Sequence, residues 1–167
     1  MIGGKGMDMK RGASGFTLVE IMFSVTILGI LAALGSYAIM TSVKKANIRQ
    51  AEAELEMISA SVLQLAWDTG RWPNKAVRTK PGSTEIWNIS GDAVGLMGTD
   101  GAYPDWKGPY YEGEILDPWG TPYFFDPDYR TNGVMRISVG SLGPDGAGKN
   151  VYETGTGKDN IVILLDD

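Results

Sequence analysis

Apolar and polar positions follow different rules in three parts of this chain. From Phe16 to Met40 almost every residue is apolar, and Glu20 is the only charge. At about 1.5 Å of rise per residue, a helix of that length exceeds a hydrocarbon core about 30 Å thick. From Lys44 to Trp67 the pattern changes. Apolar residues fall at Ile48, Ala51, Leu55, Ile58, Val62 and Leu65, with spacings of three and four. They line one helix face. Lys44, Lys45, Arg49, Glu52, Glu54 and Glu56 lie largely off that stripe. No proline interrupts Phe16–Trp67, so the pattern predicts one helix of about 50 residues, apolar all round in its first half and amphipathic in its second. The stripe is too short for a convincing coiled coil and needs a globular partner. Gly35 and Ser36 form a small-residue pair able to loosen the helix. The stretch "DTGRWPN" ends it, with Gly70 as C-cap and Pro73 forbidding continuation.

Beyond residue 74 the period shortens. Residues 75–106 are rich in Gly, Ser, Thr, Asn and Asp, with Trp87 and Trp106 among them. They read as loop with one or two short helical or strand pieces. In "ILDPWGTPYFFDPD" (115–128) the prolines and Gly120 make a turn, and Tyr123, Phe124 and Phe125 begin a strand. "GVMRISVGS" (133–141) alternates, with Val134, Arg136 and Ser138 on one side and Met135, Ile137 and Val139 on the other. That is the pattern of a half-buried strand. "NIVILLDD" (160–167) adds a third. The expected fold is α+β, a small antiparallel sheet packed on the amphipathic half of the helix.

Composition narrows the chemistry. The net charge of -5 and pI near 4.8 argue against a nucleic-acid binder, which needs a basic face for phosphates. There is no cysteine, hence no disulfide framework, thiolate nucleophile or zinc–thiolate site. There is no histidine either, which removes the commonest general base and zinc ligand. No P-loop or dinucleotide fingerprint is present, and "NIS" (88–90) is too short a motif to count as a glycosylation site. Glu112, Glu114 and Asp117 read as a solvated acidic face. The five tryptophans read as packing rather than a base-stacking platform, because no basic track accompanies them. Together these argue against an enzyme.

The start of the apolar run carries the most specific signal. Residues 1–15 are short and polar, with Lys5, Lys10 and Arg11 against Asp8. A secretory signal peptide would have a shorter apolar region and a small-residue cleavage site. A plain signal anchor explains everything but Glu20, since an intramembrane acid is costly and needs a function. The stretch "GFTLVE" (15–20) after a short basic leader resembles the type IV pilin and type II secretion pseudopilin families. That resemblance implies a prepilin leader at 1–15, cleavage by a prepilin peptidase between Gly15 and Phe16, and N-methylation of Phe16. It also gives Glu20 a role in assembly, pairing with the new Phe16 amine of a neighbouring subunit. The bland alternative is a helix-start acid snorkelling to the interface. Charge leaves orientation undecided, because Lys44, Lys45 and Arg49 balance the leader's cations.

"GRWP" (70–73), "DPWGTPY" (117–123) and "SLGPDG" (141–146) followed by "KDNI" (158–161) are similar to stretches of the type II secretion major pseudopilin. The likeness covers most of the chain except about residues 75–106. The absence of cysteine departs from type IVa pilins, which close this end with a disulfide loop. The loop "DGAGKNVYETGTGKD" (145–159) has many glycines and few apolar residues, so a core cannot order it. Carboxylates with nearby backbone carbonyls suit Ca²⁺, which takes 6–8 oxygens, although Ala147 and Lys149 exclude an EF-hand. By spacing alone a solvated glycine-rich turn competes. The resemblance implies calcium here, with Asp145 and Asp159 as carboxylates, Leu142 as a carbonyl donor and Asn160 as a weaker ligand. Lys149 and Lys158 lie inside the loop and would blunt affinity.

The resemblance implies a domain order of leader (1–15), membrane and filament-core helix (16–40) and periplasmic pilin-like head (41–167). The chain would be a single-pass inner-membrane protein that polymerises with copies of itself. Its other partners would be minor pseudopilins, the membrane assembly platform and that platform's ATPase. The filament would help move folded proteins through the outer membrane. A type IV pilus subunit for adhesion, motility or electron transfer shares the leader and helix. A membrane-tethered hydrolase would instead show a carboxylate pair in a pocket.

Overall fold

The computed structural model describes residues 15–150 and 157–165. Its first element, α1, runs from Leu18 to Thr69 without a break. Gly35 and Ser36 do not interrupt it; the Ser36 hydroxyl donates to the Ala32 carbonyl at 2.9 Å. The helix begins two residues later than the apolar pattern does, because Thr17 serves as its cap. It ends where the sequence places the stop. Gly70 is left-handed at φ 67°, and its N–H donates to the Ala66 carbonyl at 3.1 Å. Glycine tolerates that conformation without the Cβ clash of other residues.

The chain divides into two compact units at Ser42/Val43. In the first, every described residue up to Met40 is exposed. The second has a core. From α1 it takes Ala51, Leu55, Ile58, Val62, Leu65 and Ala66, all fully buried. Ile48 belongs to the same stripe in sequence but is 39% exposed; the core begins one turn later, at Ala51. Tyr123, Phe125 and Val139 bring the sheet into the same cluster. Burying each such large side chain contributes about 1.5–3 kcal/mol.

The sheet has three antiparallel strands in the order β1-β2-β3: β1 Phe124–Thr131, β2 Val134–Ser141 and β3 Ile161–Leu164. Asn132 and Gly133 close the β1–β2 hairpin with φ of 49° and 77°, the Asn-Gly signature of a two-residue turn. The register slips between Asp126 and Tyr129. This bulge accommodates Pro127, which has no N–H for the ladder. The alternation in β2 does not yield one buried face and one exposed face. Val134 and Met135 are exposed, while both faces from Ser138 to Ser141 are buried. Burial is graded along the strand because its turn end leaves the core.

Residues 75–106 contain one short 3-10 turn, Asp92–Val94, yet they supply Ile89, Val94, Leu96 and Tyr103 to the core. Side-chain hydrogen bonds to backbone hold this segment. Tyr103 donates to the Pro73 carbonyl at 2.7 Å, and Trp106 Nε1 donates to the Gly95 carbonyl at 2.7 Å. Four of the five tryptophans are at least half-buried or in packing contact, but Trp67 is 68% exposed, with the Arg78 guanidinium over its ring.

Candidate functional site

Three places carry chemistry: the start of α1, the loop after β2, and an acidic cluster on β1. At the first, Gly15, Phe16 and Thr17 are non-helical and exposed. The Gly15–Phe16 peptide bond therefore lies in exposed, non-helical backbone. Thr17 Oγ1 accepts the Glu20 N–H at 3.2 Å. Thr17 thus caps one of the four free donors of the helix start. Glu20 sits in the first turn, at the end of the helix where the dipole favours negative charge. The Thr-x-x-Glu spacing is that of a capping box, a signal that the sequence itself carries in Thr17 and Glu20.

The second place is organised by Asp117. It was expected on a solvated acidic face, but it is only 4% exposed. Its Oδ1 accepts the N–H groups of Trp119 (3.1 Å) and Thr121 (2.8 Å). Its Oδ2 accepts the Ser141 hydroxyl at 2.5 Å, and Ser141 Oγ in turn accepts the Gly143 N–H at 3.0 Å. A carboxylate with that many donors has no need of water. The chain Asp117–Ser141–Gly143 fastens the 117–121 turn to the loop that follows β2.

That loop carries the residues singled out for calcium. Asp145 is exposed, and its Oδ1 accepts the Ala147 N–H at 2.8 Å. Gly143 has φ 71°, and a Cβ there would collide with the Asp159 carbonyl and lie 3.2 Å from Asp159 Oδ2. Asp159 therefore packs against Gly143, two residues before Asp145. The Leu142 side chain is buried with Phe124 and Tyr129. Asn160 Oδ1 is buried without a hydrogen-bond partner. A buried acceptor with no donor is the kind of oxygen that suits a hard cation; Asp159 is brought to Gly143, while Asp145 is exposed and bonded to its own loop. Lys149 is turned aside: its Nζ lies over the Trp87 ring, 5.4 Å from the centroid. Residues 151–156 of the loop, and residues 1–14 of the leader, lie outside the described residues.

The third place was missed. Glu85, Asp126 and Asp128 each contribute one carboxylate oxygen to a group whose members all lie within 4.8 Å of one another. Asp126 is fully buried, and burial first, then the Asp128 and Glu85 carboxylates, push its pKa up to about 7. The signal was available in "FDPD": residues two apart on a strand share a face. The third acid comes from residues 75–106, a segment whose position the sequence does not reveal.

An apolar, exposed, capped N-terminal helix joined to a small α+β head defines a membrane-anchored, pilin-like subunit. Comparison with known proteins agrees and goes further. Residues 10–36 match the prokaryotic N-terminal methylation motif, and residues 38–162 match type II secretion system (T2SS) protein G. The chain belongs to the type II secretion protein G family, the major pseudopilins. It is similar to the type II secretion system core protein G of Pseudomonas aeruginosa, 30% identical over 148 residues that span 87% of this chain and 96% of that one. The core protein G of Aeromonas hydrophila is 31% identical over 138 residues, 82% of this chain and 87% of the relative. That of Vibrio cholerae is 28% identical over 146 residues, 84% and 86%. No solved structure is a significant match. The second family match covers the head as well as the helix, and so favours a pseudopilin over a type IV pilin, which shares the leader and helix.

Proposed function

We propose that this pseudopilus subunit is held in the inner membrane by α1 with its head in the periplasm. Prepilin peptidase cuts it between Gly15 and Phe16, and Phe16 is N-methylated. Copies then polymerise, each Glu20 pairing with the Phe16 amine of a neighbour. Minor pseudopilins, the membrane platform and its ATPase complete the machine that moves folded proteins outward. The observation that carries this reading is that Glu20 is the sole charge between Phe16 and Met40, where every residue is exposed. An unpaired carboxylate in hydrocarbon costs several kcal/mol, and a neighbour's amine removes that cost. The same pairing sets axial register between subunits.

The loop after β2 is the calcium site in this reading, with Asp145 and Asp159 as carboxylates, the Leu142 carbonyl as donor and Asn160 Oδ1 as a further oxygen. Calcium supplies charge neutralisation and order there. The chain's own residues set the geometry: Gly143 admits Asp159 at close range, and Ser141 fixes Gly143 to Asp117.

The test is assembly. Glu20→Ala and an uncleavable Gly15 variant are expected to reach the membrane, keep the melting behaviour of the head and form no filaments. Filaments that persist with both changes would refute the pairing mechanism.

A further inference from the structure

We propose that Glu85, Asp126 and Asp128 form a second cation site, separate from the loop after β2, that takes a hard divalent ion of the calcium type and staples residues 85–89 to β1.

The backbone builds the cluster. Ile86 and Phe125 form an antiparallel bridge with both hydrogen bonds at 2.8 Å, Ile86 N–H to the Phe125 carbonyl and Phe125 N–H to the Ile86 carbonyl. Ile89 N–H donates to the Tyr123 carbonyl at 3.2 Å, continuing the strap. In such a pairing the next residues, Glu85 and Asp126, stand directly opposite each other, with Cα atoms about 4.5 Å apart in the non-hydrogen-bonded position. Like charges opposed across strands are destabilising. Asp128 follows two residues after Asp126, across Pro127, and adds a third carboxylate.

Among the described residues no ion pair reaches them. The two ion pairs among the described residues, Lys75–Asp100 and Lys107–Asp68, lie elsewhere. Asp126 Oδ1 accepts the Asp128 N–H at 2.9 Å. Asp126 Oδ2 and Asp128 Oδ1 are both buried and have no hydrogen-bond partner. Buried acceptors without donors are rare in folded proteins, and two of them in one acidic cluster point to a missing positive ligand. A proton on Asp126, shared with Asp128 through a side-chain hydrogen bond, neutralises one charge, consistent with its raised pKa, but leaves two negative charges in a group whose members lie within 4.8 Å of one another. A divalent ion answers all three. The donors are oxygens only, which suits Ca²⁺; Mg²⁺ demands a near-ideal octahedron and keeps most of its waters. Trp87, within the strap, packs on Phe124 with ring centroids 5.2 Å apart and planes tilted by 48°.

The experiment uses the full chain in detergent carrying Asp145→Ala and Asp159→Ala, so that the loop site is silent. Calcium binding is read by equilibrium dialysis and stability by thermal unfolding. The expected result is one calcium per chain and a melting temperature raised by about 5 °C at saturating calcium. Adding Asp126→Asn, or Glu85→Gln at the more exposed end, should weaken binding at least tenfold. In chelator, Asp126→Asn should melt above its parent, because one of three opposed charges is gone. The inference fails if the silenced chain binds no calcium, or if binding survives Asp126→Asn and Glu85→Gln together. Failure of the loop site is read separately: in the unmodified chain, Asp145→Ala would then remove no calcium.

Discussion

The two halves of α1 are the same helix under opposite conditions. Up to Met40 every described residue is exposed; from Ala51 onward one face is fully buried. Both halves satisfy their backbone internally, and Ser24, Thr26, Ser36, Thr41 and Ser42 also return their hydroxyls to carbonyls four residues back. They differ in where their side chains find partners. The second half finds them in its own head. The first half finds none in its own chain among the described residues, and in the proposed reading it finds them in lipid and in other subunits. Stability of the subunit and stability of the polymer are therefore written in different residues, and they should respond to mutation separately.

The sharpest test pairs Leu55→Ala with Leu28→Ala. Leu55 is fully buried and Leu28 is 64% exposed. Leu55→Ala should destabilise the head by about 2–5 kcal/mol through lost burial and a residual cavity. Leu28→Ala should leave the melting of the head unchanged. Equal effects in detergent would mean that the two halves are not independent. Calcium gives the next largest effect. At 100 times its dissociation constant it should stabilise the folded chain by about 2.7 kcal/mol, and chelator should reverse this. Asp145→Ala should reduce the response without altering insertion in the membrane. The smallest effect concerns how the head fastens its loop. Ser141→Ala leaves Asp117 Oδ2 and the Gly143 N–H without their partner and should cost about 1–3 kcal/mol. Because Gly143 holds Asp159 in place, calcium affinity should fall as well. A calcium titration of that variant identical to the parent's would separate the relay from the site.

The sequence showed α1, its glycine stop and the three strands because each rests on repetition: a helical period, an alternation, or a turn residue with a fixed backbone demand. The N-terminal methylation motif was legible for another reason, since "GFTLVE" keeps a family pattern residue by residue. What stayed hidden had no period. Ile89, Leu96 and Tyr103 are apolar residues in a polar stretch, and scattered hydrogen bonds hold them at the core: Ile89 N–H to the Tyr123 carbonyl, the Leu96 carbonyl from Tyr110 and Tyr111 N–H, and the Tyr103 hydroxyl to the Pro73 carbonyl. Asp117 looks like any surface acid until Ser141, twenty-four positions away, is folded against it. Asp126 and Asp128 sit in a strand, where their shared face can be read, but Glu85 reaches them only through the Ile86–Phe125 bridge.

That bridge has a further consequence. A protein that works by polymerising is crowded against its own copies, and any bare strand edge invites them to join through their sheets. On the outer edge of β1, Ile86 occupies the N–H and carbonyl of Phe125, and the Pro127 bulge breaks the row beyond it. The opposite edge, β3, is only four residues long. Long, flat, unprotected edges template aggregation; this sheet offers none. Joining through the sheets is thereby disfavoured, and the large apolar surface left open is that of α1 up to Met40.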